Sequence, residues 1–359
     1  MTRSVMIVAG GTGGHVYPGL AVAAALRARD VELHWMGTAR GIEARVVPQA
    51  GVPLVTIPVS GLRRRGWWRW LAAPFGVGYA ICCALAAIRR IQPQVVLGMG
   101  GFVSGPGGIA AWLSRRPLII HEQNAVPGLS NRILSHFARR VLEGFPGSFK
   151  TGVRAITTGN PVRAEIAAIA APAARTHEAG RLNVLVFGGS RGARALNEVV
   201  PAALAACGVR GIAVRHQCGA DDVAATQARY AAAGNLIAVT VLAYIDDMPS
   251  AYGWADLVIA RAGASSIAEI AACGVAAILI PFPYAVDDHQ SANARYLAAD
   301  DAALLRDEAS LSVDGLARDI AGLLRDPALR LQMAERARAR ARPHATADVA
   351  AQCLAFTDA

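Results

Sequence analysis

A short apolar strand, a glycine-rich turn and a helix follow one another near the start of each half of this 359-residue chain. The first turn is Gly10-Gly11-Thr12-Gly13-Gly14-His15, and the second is Gly188-Gly189-Ser190-Arg191-Gly192-Ala193. Beyond both turns, short apolar runs alternate with longer amphipathic runs, which is the pattern of a parallel α/β sheet. The sequence therefore predicts two α/β domains that face each other across a cleft at the carboxyl ends of their strands.

The domain boundary is predicted within Gly159-Asn160-Pro161-Val162-Arg163, because residues 164–180 that follow have the composition of a linker. The first domain would comprise residues 1–161, and the second would comprise residues 162–343. A long helix ends at Pro343. A last helix over residues 346–356 is expected to return to the first domain, which adds residues 344–359 to it.

Charge is distributed unevenly along the chain. Up to Arg163 there are 19 Lys+Arg and 5 Asp+Glu, a net charge of +14, whereas the remaining 17 Lys+Arg and 21 Asp+Glu give −4. A basic half indicates an anionic partner, either nucleic acid or an anionic membrane surface. Because this half contains no recognisable base-reading module, no nucleic-acid partner is predicted.

The cysteines indicate a reducing, cytoplasmic compartment. None of the six forms a Cys-x-x-Cys pair, and most lie in apolar runs, so neither a zinc site nor a disulfide framework is expected. No Asp-x-Asp occurs, so no tightly held catalytic metal is predicted. The amino-terminal apolar run is a short strand rather than a signal peptide.

One uncharged run, residues 71–88, reaches the lower length limit of a membrane-spanning helix. Pro74, Gly76 and Gly78 interrupt it, so a buried or interfacial helix is the prediction. Arginines and tryptophans precede this run, and both residue types favour an anionic membrane interface. The predicted membrane contact comprises Arg64, Arg65, Trp67, Trp68, Arg69 and Trp70. The alternative is a solvated loop whose tryptophans pack into the core.

Glycine-rich turns before helices bind anions through backbone N–H groups and the helix amino end. The first turn is not Gly-x-Gly-x-x-Gly, and Met36-Gly37-Thr38 places no acid at the end of the second strand. These features disfavour an NAD-dependent oxidoreductase, and no Walker lysine follows either turn. A sugar-nucleotide diphosphate and a lipid pyrophosphate remain as candidate ligands.

Several polar side chains are candidates for chemistry. His15 could act as a general base, since imidazole titrates near neutral pH, or it could cap a helix or contact phosphate. Ser265 or Ser266 is predicted to cap the helix that carries Glu269, which could bind a ribose diol or complete a capping box. Gln290 and Asn293 lie three residues apart, so one helical face could hydrogen-bond a sugar.

Together these motifs resemble the MurG-type N-acetylglucosaminyltransferases of bacterial peptidoglycan synthesis. The resemblance covers nearly the whole chain, and the order and spacing of its segments are highly specific. Besides the two glycine turns, the segments are Pro18-Gly19-Leu20-Ala21, Gly98-Met99-Gly100-Gly101-Phe102-Val103-Ser104-Gly105-Pro106, His121-Glu122-Gln123-Asn124, Gly159-Asn160-Pro161-Val162-Arg163, Asp288-His289-Gln290 and Asn293-Ala294.

The resemblance implies a GT-B fold, in which two Rossmann-like domains flank the active site. It also implies transfer of N-acetylglucosamine from UDP-N-acetylglucosamine to the C4 hydroxyl of the muramoyl sugar of lipid I. Inversion at the sugar would give lipid II and UDP. The alternative within this fold is another UDP-sugar enzyme, either a glycolipid synthase or an epimerase.

The family's site residues carry over by position. His15 is the candidate base. The implied UDP-N-acetylglucosamine contacts are Thr12, Gly13, Gly14, Asn124, Arg163, Ser190, Ile245, Ala264, Ser265, Ser266, Ile267, Ala268, Glu269 and Gln290, with Glu269 on the ribose. The implied acceptor contacts are Gly100, Gly101, Ser104 and Gly105. Arg191 stands where the family often has glutamine, and the side chains of residues 264–268 differ from the usual form.

The resemblance further implies a peripheral protein on the cytoplasmic side of the inner membrane. Its partners would be UDP-N-acetylglucosamine, lipid I and the anionic membrane surface, with other cell-wall synthesis and division proteins as further candidates. No tightly bound cofactor is expected, and a divalent cation would be non-essential at most.

Overall fold

The computed structural model describes residues 3–59, 67–150, 152–175, 180–189, 192–234 and 238–357, without the side chains of residues 67–73 and 286. The chain forms two compact units. The first unit comprises Met1–Arg163 and His344–Ala359, and the second comprises Ala164–Pro343. Each unit is built around one parallel sheet flanked by helices.

Both sheets are parallel throughout. The first unit has seven strands in the order β3-β2-β1-β4-β5-β6-β7, namely β1 (Ser4–Val8), β2 (Glu32–Gly37), β3 (Leu54–Thr56), β4 (Val95–Gly98), β5 (Leu118–Glu122), β6 (Arg140–Glu143) and β7 (Ala155–Thr157). The second unit has six in the order β10-β9-β8-β11-β12-β13, namely β8 (Leu182–Phe187), β9 (Ile212–Gln217), β10 (Ala238–Leu242), β11 (Leu257–Ala260), β12 (Ala276–Leu279) and β13 (Leu304–Leu305).

Helices follow most of the strands, and the last three come after the final strand. They are α1 (Gly13–Arg27), α2 (Glu43–Gln49), α3 (Trp67–Ile91), α4 (Ser104–Leu113), α5 (Leu129–Leu134), α6 (Ala164–Ala167), α7 (Arg194–Ala206), α8 (Val223–Ala233), α9 (Met248–Trp254), α10 (Ala264–Cys273), α11 (His289–Ala298), α12 (Val313–Arg325), α13 (Pro327–Ala339) and α14 (Ala345–Leu354). In both sheets the strand order reverses beside the first strand of the unit, which is where parallel α/β folds bind ligands.

Apolar side chains cover both faces of the first sheet. Because successive strand residues point to opposite faces, Ile7 packs with α1 and α14, whereas Met6 packs on the other face with α3 and α4. Helix α14 contributes Val349 and Cys353 to the first of these clusters. The carboxyl-terminal helix is therefore an integral part of the first unit.

The first unit ends two residues later than the predicted boundary at residue 161. The hydroxyl of Thr346 donates to the carbonyl oxygen of Val162 at 3.1 Å, which ties this segment to α14. The guanidinium of Arg163 lies over the ring of Tyr17, 5.2 Å from its centroid. These contacts place both residues in the first unit, so the second begins with Ala164.

Within the described residues, one helix is long and apolar enough to cross a membrane by length and composition, over Pro74–Ile91 of α3. One face of the carboxyl-terminal half of this helix packs against the core of the first unit. Ala84 and Ile88 are fully buried in the core beneath α3. The amino-terminal half instead exposes Phe75 and Tyr79, with 82% and 63% of their surface accessible.

Candidate active site

Two glycine-rich loops meet at the carboxyl edge of the first sheet. One follows β1 and the other follows β4, and these strands are neighbours at the point where the strand order reverses. Gly101 has φ +80°, and a Cβ there would overlap the carbonyl oxygen of Gly10. Only glycine therefore allows the two loops to approach this closely.

His15 lies in the first turn of α1, because this helix begins at Gly13. The N–H of His15 bonds the carbonyl oxygen of Thr12 at 3.1 Å, which extends the helix into the glycine turn. Thr12 is the N-cap, so His15 is not a capping residue. Its half-buried ring places Nδ1 2.8 Å from Oε1 of Gln123.

A fully buried carboxylate, Glu43, supports the first glycine loop. It accepts hydrogen bonds from the N–H of Gly11 at 3.1 Å and from the N–H and hydroxyl of Thr38 at 3.0 and 2.6 Å. The sequence has no acidic residue at the end of β2, and the carboxylate comes instead from Glu43 at the first position of α2. Sequence reasoning missed Glu43, since its contact with the loop spans 32 positions.

The loop after β5 is held by a second buried carboxylate, Glu122. Its Oε1 accepts from the backbone N–H and from Nδ2 of Asn124, at 2.9 and 3.1 Å. Its Oε2 accepts from the N–H of Gly128 and from Nδ2 of Asn131, at 3.1 and 2.9 Å. The predicted donor contact Asn124 is therefore fixed in place by a neighbour to which the sequence interpretation gave no role.

Ser104, a predicted acceptor contact, is fully buried at the start of α4. Its hydroxyl accepts from the N–H of Gly100 at 2.9 Å and lies 2.7 and 2.9 Å from the carbonyl oxygens of Gly100 and Val8. These bonds use the hydroxyl inside the fold, so Ser104 shapes the turn instead of contacting the acceptor directly. Gly101 and Gly105 are half-exposed on the same loop.

The corresponding edge of the second sheet lies at the carboxyl ends of β8 and β11, which are neighbours. The loop after β8 begins with Gly188 and Gly189, and α7 starts at Arg194. Ser190, a predicted diphosphate contact, and Arg191 lie outside the described residues.

Helix α10 follows β11 and carries the predicted ribose ligand. Its N-cap is Gly263, with φ −63° and ψ 144°, so Ser265 and Ser266 lie in the first turn and the predicted serine cap is wrong. Glu269 is the sixth residue of the helix, whereas a capping-box glutamate is the third, so that alternative is also wrong. The hydroxyl of Tyr252 donates to Glu269 at 3.2 Å.

Other predicted donor contacts of the second unit differ in exposure. Ile245, Ala264 and Ile267 are buried, whereas the two serines of the first turn and Ala268 are half-exposed. Without a side-chain cap at Gly263, the amino end of α10 offers backbone N–H groups and serine hydroxyls. This is the chemistry that binds a phosphate group.

Of the two side chains on the predicted sugar-binding face of α11, one lies in the interior of the second unit. Asn293 is fully buried, and its Nδ2 donates to the carbonyl oxygen of Ala262 at 3.2 Å, which anchors α11 beneath the loop before α10. Its interior position removes it from any sugar-binding surface. Gln290 is half-exposed, and its Oε1 accepts from the N–H of Phe282 at 3.0 Å.

The chain matches two domain families in tandem. Residues 5–143 match the glycosyltransferase family 28 N-terminal domain. Residues 183–350 match the glycosyltransferase family 28 C-terminal domain. The first match lies within the first unit, and the second covers most of the second unit and the start of α14.

Similar proteins span nearly the whole chain. The UDP-N-acetylglucosamine--N-acetylmuramyl-(pentapeptide) pyrophosphoryl-undecaprenol N-acetylglucosamine transferase of Xanthomonas axonopodis pv. citri is 52% identical over 97% of this chain and 81% of its own. The transferase of the same name from Nitrosococcus oceani is 51% identical over 99% of both chains. The crystal structure of Acinetobacter baumannii MurG is 39% identical, with a TM-score of 0.80 over 98% of this chain and 99% of that one. The chain therefore belongs to the MurG-type transferases of glycosyltransferase family 28, and its two Rossmann-like units confirm the predicted GT-B fold.

Proposed function

We propose that this protein transfers N-acetylglucosamine from UDP-N-acetylglucosamine to the C4 hydroxyl of the muramoyl sugar of lipid I. The bond from C1 of the donor sugar to the diphosphate breaks, and a β linkage forms from C1 to the acceptor oxygen. The hydroxyl proton passes to a base, and the products are lipid II and UDP. One observation supports this proposal most strongly. About half of the residues, along nearly the whole chain, are identical to those of transferases named for these substrates.

His15 is the proposed base. An inverting transfer needs one base beside the acceptor hydroxyl, and a histidine can serve at neutral pH. The ring lies at the carboxyl edge of the first sheet, beside the two glycine loops proposed to bind the acceptor pyrophosphate. The proposed binding of the pyrophosphate rests on Gly101 and Gly105, because their loop exposes its backbone next to the histidine.

The second unit is proposed to supply most of the donor contacts. The amino end of α10 faces the same sheet edge as the loop after β8, and a helix amino end stabilises an adjacent negative charge. Glu269 is proposed to accept hydrogen bonds from the ribose. The proposal also retains the predicted contacts with the donor at four further residues, namely Arg163, Ser190, Ile245 and Gln290.

The departing UDP is proposed to need no tightly bound metal, because helix amino ends and arginine can stabilise the charge that develops on it. Among the residues that the structure describes, no group of three or more histidine, cysteine or acidic side chains is arranged to hold an ion. A divalent cation is proposed to be non-essential at most.

Incubation with UDP-N-acetylglucosamine and a lipid I analogue tests the proposed reaction. We expect release of UDP in equal amount to a lipid-linked disaccharide, and we expect the rate to persist in excess EDTA. A parallel reaction without the acceptor distinguishes an epimerase, which would convert the nucleotide sugar alone. UDP-N-acetylglucosamine that stays unchanged in the presence of the acceptor would contradict the proposal.

We further propose that α3 lies in the membrane interface on the cytoplasmic side without spanning the bilayer. A spanning orientation would require withdrawal of Ala84 and Ile88 from the core, with loss of buried apolar area. Trp112 on α4, which packs beside α3, is also exposed. Arg64, Arg65, Trp67, Trp68, Arg69 and Trp70 stay predicted membrane contacts. The helix begins at Trp67, and Arg64 and Arg65 lie outside the described residues.

Vesicle sedimentation tests this surface. The double variant Phe75→Ser/Tyr79→Ser should bind anionic vesicles about 100-fold more weakly or worse, because burial of each large apolar side chain contributes roughly 1.5–3 kcal/mol. Tyr284→Ser, at an even more exposed tyrosine of the second unit, is the control and should bind normally. Equal binding of wild type to neutral and anionic vesicles would contradict the electrostatic part of the proposal.

A further inference from the structure

A chain of hydrogen bonds runs from His15 into the interior of the first unit. Nδ1 of His15 lies 2.8 Å from Oε1 of Gln123, and Nε2 of Gln123 lies 3.0 Å from Nδ1 of His121. Nε2 of His121 lies 2.9 Å from the carbonyl oxygen of Gly159. Gln123 and His121 are both buried, so water does not compete for these bonds.

The direction of the Gln123 amide follows from a fourth contact. Its Nε2 also lies 3.1 Å from the backbone carbonyl oxygen of His121, which can only accept. The amide nitrogen must therefore face His121, and Oε1 must face His15. The backbone of Gln123 is fixed as well, because Nδ2 of Asn160 donates to its carbonyl oxygen at 2.9 Å.

The tautomer of His121 follows from its partners in the same way. The carbonyl oxygen of Gly159 requires a proton on Nε2. Burial lowers the pKa of His121 to about 4, although the bond to Gly159 and the charge of Glu122 act in the opposite direction. The ring is therefore neutral at neutral pH, and its Nδ1 keeps the lone pair that accepts from Gln123.

We propose that Gln123, oriented by His121, holds His15 in the tautomer that carries its proton on Nδ1. Since Oε1 of Gln123 can only accept, Nδ1 of His15 must donate, and Nε2 is left with the lone pair. Among the described residues, Nε2 has no hydrogen-bond partner. Gln123 and His121 are thus positioning residues, and their role rests on the proposed function of His15 as base.

In the proposed transfer, His15 both takes up the proton of the hydroxyl and later releases it. Nε2 takes the proton of the acceptor hydroxyl while the oxygen attacks C1 of the donor sugar, and the imidazolium keeps its Nδ1–H bond to Gln123. The proton leaves to solvent before the next turnover. An amide fixes the ring in this tautomer without a buried charge beside it.

The second glycine loop leaves space for this pair. A Cβ at Gly100 would lie 2.7 Å from Nδ1 of His15 and 3.2 Å from Oε1 of Gln123, and φ there is +94°. Any larger residue would thus press on the hydrogen bond that fixes the tautomer. This loop, which carries predicted acceptor contacts, also protects the orientation of the proposed base.

Nitrogen NMR of the protein with 15N-labelled histidine tests the tautomer directly, above the pH at which imidazoles are protonated. His15→Ala identifies the resonances by their disappearance. We expect wild-type His15 to show a protonated Nδ1 and an unprotonated Nε2. A proton on Nε2 in the wild type would overturn the proposal, and this reading needs neither activity nor a Gln123 variant.

Steady-state kinetics test whether the tautomer of His15 affects the rate of transfer. Gln123→Met, close in size and without polar hydrogen-bonding groups, should shift the tautomer and lower kcat by about 10-fold to 100-fold with KM for the donor unchanged. The nitrogen spectrum of Gln123→Met should also show the proton of His15 moving toward Nε2 at an unchanged melting temperature, which a merely structural role would not predict. Gln49→Met, at an exposed glutamine, is the matched control. Wild-type kcat in Gln123→Met would overturn the proposal. A wild type that failed to make the disaccharide would sink the proposed function and leave the NMR result standing.

Discussion

Replacement of His15 by alanine should lower kcat by about 100-fold or more, with little change in KM for UDP-N-acetylglucosamine. A positioned general base contributes about 10²-fold to 10⁴-fold, and alanine leaves no group to take the hydroxyl proton. His15 is not among the proposed donor contacts, most of which lie in the second unit, so KM for the donor should depend little on this side chain. Steady-state kinetics with a lipid I analogue measure both constants.

His34→Ala is the matched control, because this histidine lies on β2 of the same unit and, within the described part of the chain, pairs only with the exposed Glu32, at 3.1 Å. Equal thermal melting temperatures of the variants would show that the first unit stays folded. A His15→Ala enzyme with wild-type kcat would remove His15 from the role of base. It would leave the proposed reaction intact, since disaccharide would still form.

Replacement of Glu269 by alanine should raise KM for UDP-N-acetylglucosamine by about 10-fold to 100-fold. A hydrogen bond to a charged group contributes roughly 1.5–3 kcal/mol, and about 1.4 kcal/mol corresponds to a factor of ten. The hydroxyl of Tyr252 donates a hydrogen bond to the carboxylate of Glu269 at 3.2 Å. Tyr252→Phe removes this hydroxyl but keeps the carboxylate, so it should raise KM by a smaller factor. Glu335→Ala, at an exposed position of α13, is the control.

Deoxyribose analogues of the donor make this prediction specific to the ribose. Wild type should discriminate against the 2′-deoxy or 3′-deoxy analogue by a factor similar to the loss in Glu269→Ala. The variant should discriminate little, because the two changes remove the same interaction. Strong discrimination by Glu269→Ala against both analogues would show that the carboxylate does not bind the ribose.

The repeated strand, glycine turn and helix made the architecture predictable, since each feature is local in the sequence. Alternation of apolar runs predicted the strand and the helix beside each glycine turn, which the structure shows as β1 with α1 and as β8 with α7. It missed short strands such as β3 and β13, with three and two residues, because such segments carry too little periodicity.

The supports of the candidate site were not predictable in the same way. Glu43 reaches the first glycine loop across 32 positions, and Gln123 reaches His15 across 108. No local pattern marks such contacts, because they depend on the strand order of the folded sheet. The sequence does place His121, Glu122 and Gln123 at the end of an apolar run, which was the available signal for the polar cluster around β5.

The corrections have a common physical cause. Ser104 and Asn293 have polar side chains that sequence reasoning directed toward a ligand, yet both are fully buried and bond backbone groups of their own unit. A buried backbone amide or carbonyl needs a partner, and polar side chains near glycine loops often supply it. The exposed residues of those loops are therefore better candidates for ligand contacts than the buried ones.

The central claim is that the turn after β8 and the helix after β11 form the binding site for the nucleotide that departs. A crystal structure with UDP tests it most directly. The account predicts the diphosphate against the backbone after Gly188 and the amino end of α10, with the ribose hydroxyls on Glu269. A diphosphate bound to the second unit away from the carboxyl ends of β8 and β11, or bound to the first unit alone, would contradict it.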